Sequence, residues 1–392
     1  MAHNAVIGQS GGPTAVINQS LVGVVKALIE AGGVDTIYGA QNGARGMLED
    51  RFIELQGIDG ARLDRIAQTP SAALGSSRDK PDEEYGKKVV ETLAKRDVRY
   101  LFYIGGNDSS DTCRILNEVA GQQGYDLRSF HVPKTVDNDL VGSDHTPGFP
   151  SAAKFVASAF MGDNLDNKSL PGIKINVVMG RHAGFLTAAS VMARGTDNDG
   201  PHLIYCPEDS FDIDQFVADV DRVYSAKGRC LIAVSEGIHD SEGNPIITKL
   251  QENIERDAHG NVQLSGSGAL GDHLVQLVKS KMGKVRVRAD TFGYLQRCFP
   301  IGISGVDQCE AAAAGAKAVQ CAMDGEKDGS IAIKRVSDDP YTAAFERIEL
   351  TEVAAKTRTL PDAHRAGGND ITDAFKDYLR PLLDGLPVIE QL

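Results

Sequence analysis

The segment Val132–Leu140, VPKTVDNDL, carries the residue types that phosphoryl chemistry uses. Asp137 and Asp139 stand two apart behind a short apolar run, with Lys134 and Thr135 just ahead of them. One carboxylate can take a proton from a hydroxyl while the other orients groups or holds a metal. The lysine can neutralise phosphoryl oxygens, and the threonine offers a hydroxyl contact. The same spacing also suits an Asx turn, in which the acids only accept from backbone N–H groups. The residues alone leave these two readings level.

Three glycine turns follow apolar runs and open helical patterns: IGQSGGPTAVIN, YIGGNDSSDT and VVMGRHAGFL. Such a turn bares backbone N–H groups at the positive end of a helix, which makes a cradle for phosphate. Any one of them would pass for a tight connection. Three of them beside VPKTVDNDL favour a phosphate site, because open α/β sheets bind ligands beyond the carboxyl ends of their strands. The second turn poses a question of its own: Asp108, itself an anion, stands in the throat of that cradle.

The elements that must position these residues are legible as an alternation. NAVIGQ, VDTIYGA, RYLFYIGG, RSFHVPK, GIKINVVMG, PHLIYCPE and RCLIAVSEG read as short buried strands. Between them lie helical patterns: about Thr14 to Ala31, then EEYGKKVVETLAKRDV, SSDTCRILNEVAG, FPSAAKFVASAFM, HAGFLTAASVMA and DIDQFVADVDRVYSA. Strands alternating with helices predict βαβ units and an α/β fold of two doubly wound domains with largely parallel sheets, with a hinge near Thr146–Pro150. Ile238 to Gly266 is polar and reads as a long excursion or lid. Glu310 to Met323 predicts a closely packed helix of small residues, and Ile371 to Leu383 a terminal amphipathic one.

Composition narrows the chemistry. The 392 residues carry a formal net charge of -13, which argues against a nucleic-acid partner and requires any anion site to be locally basic. Cys113, Cys206, Cys230, Cys298, Cys309 and Cys321 show no CxxC spacing, so free thiols in a reducing cytosol are expected. No HExxH occurs, no apolar run reaches the ~18 residues of a bilayer span, and MAHNAVIGQSGG leaves no room for a signal peptide. A cytoplasmic protein without a membrane partner is the expectation. LSGSGALGD places Gly266, Gly268 and Gly271 in GxGxxG spacing, with Asp290 near where a ribose-binding acid would stand. No buried strand precedes it, so it reads as a helix lead-in, with a nicotinamide-dependent oxidoreductase kept as the rival. A Walker GxxxxGK[ST] is absent.

Taken together, SGGPTAVIN, GGNDS, PKTVDND, MGRHAGF, AVSEG and GYLQR stand in the order and approximate spacing of the phosphofructokinase superfamily, from Gly11 to Arg297. The resemblance implies two Rossmann-like domains with the active site in the cleft between them, and phosphoryl transfer to the 1-hydroxyl of fructose 6-phosphate. It implies a donor domain of residues 1–147 plus about 298–350, and a sugar-phosphate domain of 148–297 plus about 351–392. By the same resemblance Asp137 is the catalytic base, Thr135 and Val136 contact the substrate, and Asp139 supports the site. Met179, Gly180 and Arg181 form the sugar-binding turn, with Arg181 also facing the reacting group. Glu236 meets a sugar hydroxyl, and Tyr294 and Arg297 bind the 6-phosphate. Arg288 reaches that phosphate from a neighbouring subunit, so a homodimer or higher homo-oligomer is expected. Gly11 and Arg78 belong to the donor side.

ATP-using members typically read GGDGS and PGTIDND, whereas pyrophosphate-using members resemble GGDDS and PKTVDND. Asp108 and Lys134 both point to pyrophosphate. A carboxylate about 4 Å from the α-phosphate of ATP would cost about 4 kcal/mol at an effective dielectric of 20, roughly a thousandfold in affinity. Pyrophosphate ends before that point, so the charge repels only the longer donor. Two departures stand out. Asn107 replaces the usual Asp at a position linked to Mg²⁺, so the metal is expected to lean on the pyrophosphate and on other acids. Gly172, with Lys174 nearby, replaces an arginine of the bacterial ATP-dependent members. That leaves room for another sugar phosphate, such as sedoheptulose 7-phosphate, and no strong allostery is expected.

Overall fold

The computed structural model describes residues 3–250 and 268–390. Of the predicted excursion, residues 251–266 lie outside the described residues, and so does Gly266 of the GxGxxG match. In chain order the strands of the two main sheets are β1 (His3–Gln9), β2 (Val34–Ala40), β3 (Phe52–Glu54), β4 (Val98–Gly105), β5 (Arg128–Pro133) and β6 (Ile173–Val178). They continue as β7 (Leu203–Tyr205), β8 (Cys230–Ser235), β9 (Val287–Thr291), β10 (Asp328–Asp338) and β11 (Tyr341–Ile348). The chain divides into two compact Rossmann-like units. The first comprises Met1–Ser151 and Arg297–Arg358, the second Ala152–Gln296 and Thr359–Leu392.

The first unit holds a seven-stranded sheet in the order β11-β10-β5-β4-β1-β2-β3. Strands β2, β1, β4, β5 and β10 run parallel, and β3 and β11 close the two edges antiparallel. Its central strands are unbroken apolar runs because helices cover both faces of a parallel sheet: Ala5–Ile7 and Leu101–Ile104 are fully buried. The helix Ile17–Ala31 starts three residues later than the periodicity predicts. Thr14 is spent on a local turn, its Oγ1 accepting from the Val16 N–H at 3.3 Å. That helix lies against Gly305–Met323, which begins earlier than predicted. The run of small residues in this second helix has a packing cause. A Cβ on Gly315 would sit 2.5 Å from the Ser20 carbonyl oxygen, and one on Gly23 would overlap the Ala312 carbonyl.

The second unit holds the four-stranded parallel sheet β7-β8-β6-β9. Ile175, Phe216, Ile232 and Leu274 form part of its own core. The sequence pattern does not announce β3, β9, β10 or β11. All four lie at or next to a sheet edge and are partly polar on their exposed side, so they lack the apolar run that marks a doubly covered strand. The helix Phe149–Ser169 begins inside the segment Thr146–Pro150 where the sequence suggests a hinge. Gly268 is the N-cap of the helix Ala269–Met282 and Gly271 lies inside it, a helix lead-in rather than a dinucleotide turn. Among the described residues no helix is long and apolar enough to cross a membrane.

Each sheet has a point where the chain order reverses. From β1 the chain goes out to β2 on one side and returns to β4 on the other. From β6 it reaches β8 on one side and β9 on the other. Ligands bind outside the carboxyl ends of strands at such points. The loops that leave β1 and β4 carry Gly11–Gly12 and Gly106–Asp108, and the loop leaving β6 carries Met179–Arg181.

Candidate active site

In the first unit, two glycine loops and the residues after β5 converge. The Ser10 N–H bonds to the Ile104 carbonyl at 2.9 Å and the Lys134 N–H to the Gly105 carbonyl at 2.9 Å, so the three strand ends are laced together. The hydroxyls of Ser10 and Ser109 meet in a short hydrogen bond, and a Cβ on Gly105 would overlap the Ser109 hydroxyl. Gly11 takes φ +74, a conformation that favours glycine, and its N–H and carbonyl are held by the Ser77 carbonyl and the Ser76 hydroxyl. His131 braces the Gly105 turn from behind, with Nε2 2.8 Å from the Gly105 carbonyl and Nδ1 2.8 Å from Ser330 Oγ. Burial pushes its pKa down to about 4, so this ring is neutral.

Lys134 lies at the centre of this arrangement. It is only 4% exposed, and its Nζ donates to the Gly12 carbonyl at 2.7 Å. Burial is the dominant influence and lowers its pKa to about 8; Asp137 and Asp139 pull upward, while Arg297 and Arg78 pull downward. Four of the predicted residues therefore act electrostatically on the same ammonium. Arg297 stands on this side: a Cβ on Gly12 would come within 2.6 Å of its Nη1.

The acidic segment that follows is tightly constrained. The Thr135 hydroxyl accepts from the Asp137 N–H at 3.1 Å. Burial raises the pKa of Asp139, against the pull of the Thr135 hydroxyl, its own N–H, Lys134 and Arg358. Asn138 sits in the left-handed region at φ 60, which asparagine tolerates better than most residues. Arg358 grips the turn: its backbone N–H bonds to the Asp139 carbonyl at 2.8 Å, and Nε to the Asn138 carbonyl at 2.8 Å. Nη1 reaches the Ser143 carbonyl at 2.7 Å, and Nη2 reaches Asn138 Oδ1 at 2.8 Å and the Asp144 carbonyl at 2.7 Å.

Asn107 and Asp108 open the helix Asn107–Gln122, with Gly106 at its N-cap. Asn107 Oδ1 accepts from the Asp108 N–H at 2.9 Å. Asp108 pairs with Lys80 at 3.1 Å, and both side chains are more than half exposed. An exposed, paired carboxylate is better screened than the sequence argument assumes. At a dielectric near that of water, the same 4 Å approach costs only about 1 kcal/mol, roughly fivefold.

In the second unit the turn after β6 interlocks with the one after β8. Gly180 has φ +146 and Arg181 φ +47, and the Ala183 N–H closes the turn onto the Gly180 carbonyl at 2.8 Å. Glu236 is buried, and its Oε1 lies 3.4 Å from the Gly180 N–H. A Cβ on Gly237 would overlap the Arg181 carbonyl, which explains glycine after Glu236. Met179 is buried, whereas Arg181, Arg288 and Tyr294 are exposed. Arg288 lies beside Lys174 in the β6–β9 register, and Lys174 pairs with Asp290.

Three positioning groups carry little or no local signal. Lys80 follows Arg78 by two residues and was detectable only as another cation on that loop. Arg358 lies 220 residues from Asn138. Glu208 accepts from the Gly184 N–H at 2.8 Å and the Leu360 N–H at 2.7 Å, steadying the MGRHAGF turn from a distant strand end. Among the described residues no group of three or more His, Cys, Asp or Glu side chains forms a metal cage.

Comparison with known proteins agrees with this geometry. The family described as Phosphofructokinase matches residues 4–322. A pyrophosphate–fructose 6-phosphate 1-phosphotransferase of Rhodospirillum rubrum is 56% identical over 384 residues, covering 97% of this chain and 95% of that protein. A sulfofructose kinase of Alkalicoccus urumqiensis is 32% identical, covering 98% and 97%. The crystal structure of a pyrophosphate-dependent phosphofructokinase from Nitrosospira multiformis superposes with a TM-score of 0.88 at 33% identity, covering 100% and 95%. By its loops, its strand order and these relatives, the chain belongs to the phosphofructokinase family.

Proposed function

We propose that this chain transfers a phosphoryl group from pyrophosphate to the 1-hydroxyl of fructose 6-phosphate, giving fructose 1,6-bisphosphate and phosphate, and that it runs in both directions. The observation that carries the reading is the buried Lys134 ammonium bonded to the Gly12 carbonyl between two phosphate-cradle loops. A fixed charge there suits a short donor that brings no nucleotide to anchor it. The pyrophosphate-dependent relatives support the same donor.

In this reading the first unit takes the donor, through Gly11, Lys134, Arg78 and the N-terminus of the helix that begins at Asn107. Asp137 accepts the proton of the 1-hydroxyl, and Thr135 and Val136 pack against the acceptor. Asp139, whose charged form burial disfavours, holds the segment in place. Arg181 and Lys134 offset the charge of the moving phosphoryl group. Met179, Gly180 and Glu236 bind the sugar; Tyr294 and Arg297 bind its phosphate, with Arg288 contributed across a homo-oligomer interface. Asn107 already spends one oxygen lone pair on a backbone N–H, and among the described residues no carboxylate cage stands ready. Mg²⁺ would enter with the pyrophosphate; Asn107 and Asp137 are the residues that would hold it, and it would supply charge neutralisation of phosphate oxygens. The free thiols fit a reducing cytosol.

Assaying fructose 6-phosphate with pyrophosphate and with ATP separately tests the proposal. Turnover with pyrophosphate and little with ATP is expected; strong turnover with ATP and none with pyrophosphate would overturn the donor. In Asp108→Gly, kcat/KM for ATP should rise about fivefold or more.

A further inference from the structure

The loop that carries Asp137 ends at a histidine with no exposed surface. Its Nδ1 lies 2.9 Å from Asp144 Oδ2 and its Nε2 2.5 Å from Glu310 Oε2. Ionised carboxylate oxygens only accept, so a ring bonded to carboxylates through both nitrogens carries two N–H protons. The remaining partners are consistent with a charged ring. The Tyr341 hydroxyl donates to the other Glu310 oxygen at 2.6 Å, and Arg335 pairs with Asp144 at 3.2 Å and stacks on the Tyr341 ring at 5.4 Å.

This cluster bears on the chemistry through a few hydrogen bonds. One turn before Glu310 on the helix Gly305–Met323, Asp307 accepts from the Gly148 N–H at 2.8 Å, the Ser151 N–H at 3.1 Å and the Ser151 hydroxyl at 2.6 Å. Two carboxylates of one helix thus hold both ends of the segment His145–Ser151. The same segment is tied back to the acidic motif: the Thr146 hydroxyl donates to the Thr135 carbonyl at 3.0 Å, and the Thr135 N–H to the Pro147 carbonyl at 3.2 Å.

We infer that His145, held as an imidazolium between Asp144 and Glu310, is a positioning residue that fixes Thr135–Asp139 for phosphoryl transfer, and that loss of its proton lowers turnover. The groups facing it are Asp144 on its own loop, Glu310 and Asp307 on the helix, Arg335 on β10 and Tyr341 on β11. Burial by itself would lower its pKa, but the bonds to Asp144 and Glu310 outweigh burial and raise it above the ordinary histidine value. Tyr341 stays neutral, because burial and Glu310 both push its phenol upward. The charged form therefore persists to a higher pH than in an exposed histidine.

The catalytic half of this inference rests on the reading of Asp137 as proton acceptor; the charge state does not. ¹⁵N spectra of the full-length protein labelled in its histidine rings test the charge state directly, at pH 8 and without substrate. One slowly exchanging ring should show two protonated nitrogens, while His131, equally buried, supplies a neutral internal reference. Two buried neutral rings would overturn the inference. For positioning, His145→Gln should lower kcat at least tenfold with KM for either substrate within about threefold. It should also remove the alkaline fall in kcat that this inference expects of wild type, while any fall in kcat/KM for pyrophosphate set by Lys134 persists. His145→Gln/Glu310→Gln, which restores an amide donor to the pair, should recover part of kcat. A His145→Gln kcat within twofold of wild type, or a double variant no better than the single one, would overturn the positioning role. Should wild type turn over only with ATP, the donor reading fails while the ring spectra and the ATP kinetics of these variants still decide this one.

Discussion

At the scale of single residues, the chemistry depends on how a charge is carried inside an apolar site. Burial lowers the Lys134 pKa to about 8 from 10.5, so folding disfavours its ammonium. The sign follows from linkage: between pH ~8 and ~10.5 the unfolded chain binds the extra proton, so this group's contribution to stability improves as pH rises across that window. Below pH ~8 the full penalty applies. Lys134→Met should therefore stabilise the fold at pH 7 by about 1–3 kcal/mol in urea titrations while abolishing donor binding. The ammonium is the form that binds phosphate, so kcat/KM for pyrophosphate in wild type should descend above pH ~8. A profile flat from pH 7 to 9, or a Lys134→Met variant less stable than wild type at pH 7, would show that the charge is not strained as described. The VPKTVDNDL motif makes the identity of this lysine readable. Its burial and its bond to Gly12 depend on a loop more than a hundred residues away, which no local spacing reveals.

At the scale of elements, the strands that are covered on both faces and the glycine turns at their ends follow directly from the sequence. Strands β3, β9, β10 and β11 do not, because partial exposure replaces apolar runs with mixed ones. The same divide applies to the site. Residues within a motif are legible together, whereas the side chains that hold the motif in place come from elsewhere. Arg358 illustrates this: it satisfies the carbonyls of Asn138, Ser143 and Asp144 and the side chain of Asn138 from the far end of the first unit. An orphaned buried carbonyl costs about 1–3 kcal/mol, so several left together are enough to let the turn move. Arg358→Met should cost about 2–4 kcal/mol of stability and lower kcat ten- to a hundredfold, since the displaced group is the Asp137 turn rather than the donor loops. KM for pyrophosphate should stay within a few-fold. A variant whose KM for the donor rises while kcat holds would place Arg358 in donor binding instead.

At the scale of the whole molecule, neither unit is continuous in sequence, since the first needs residues 297–358 and the second 359–392. This has a physical consequence for the first unit. Its strand β10 supplies the parallel partner of β5, and the helix Gly305–Met323 covers the helix Ile17–Ala31 so closely that Gly23 and Gly315 must lack side chains. Ala314, Ala318, Val319 and Ala322 from that helix and Ile331 from β10 belong to the same buried cluster as Ile7, Ile17 and Phe102. A fragment ending at residue 151 would expose that cluster and the open edge of β5, and exposed strand edges pair with other chains. Residues 1–151 alone should therefore aggregate or remain without fixed tertiary structure. Joining 1–151 to 297–358 through a short flexible linker should give a monomeric, cooperatively unfolding domain. Dispersed amide spectra and a sigmoidal urea transition for the joined protein, with neither for the fragment, are the expected results. A well-folded 1–151 fragment would mean that the C-terminal helix and hairpin are accessory to this core rather than part of it.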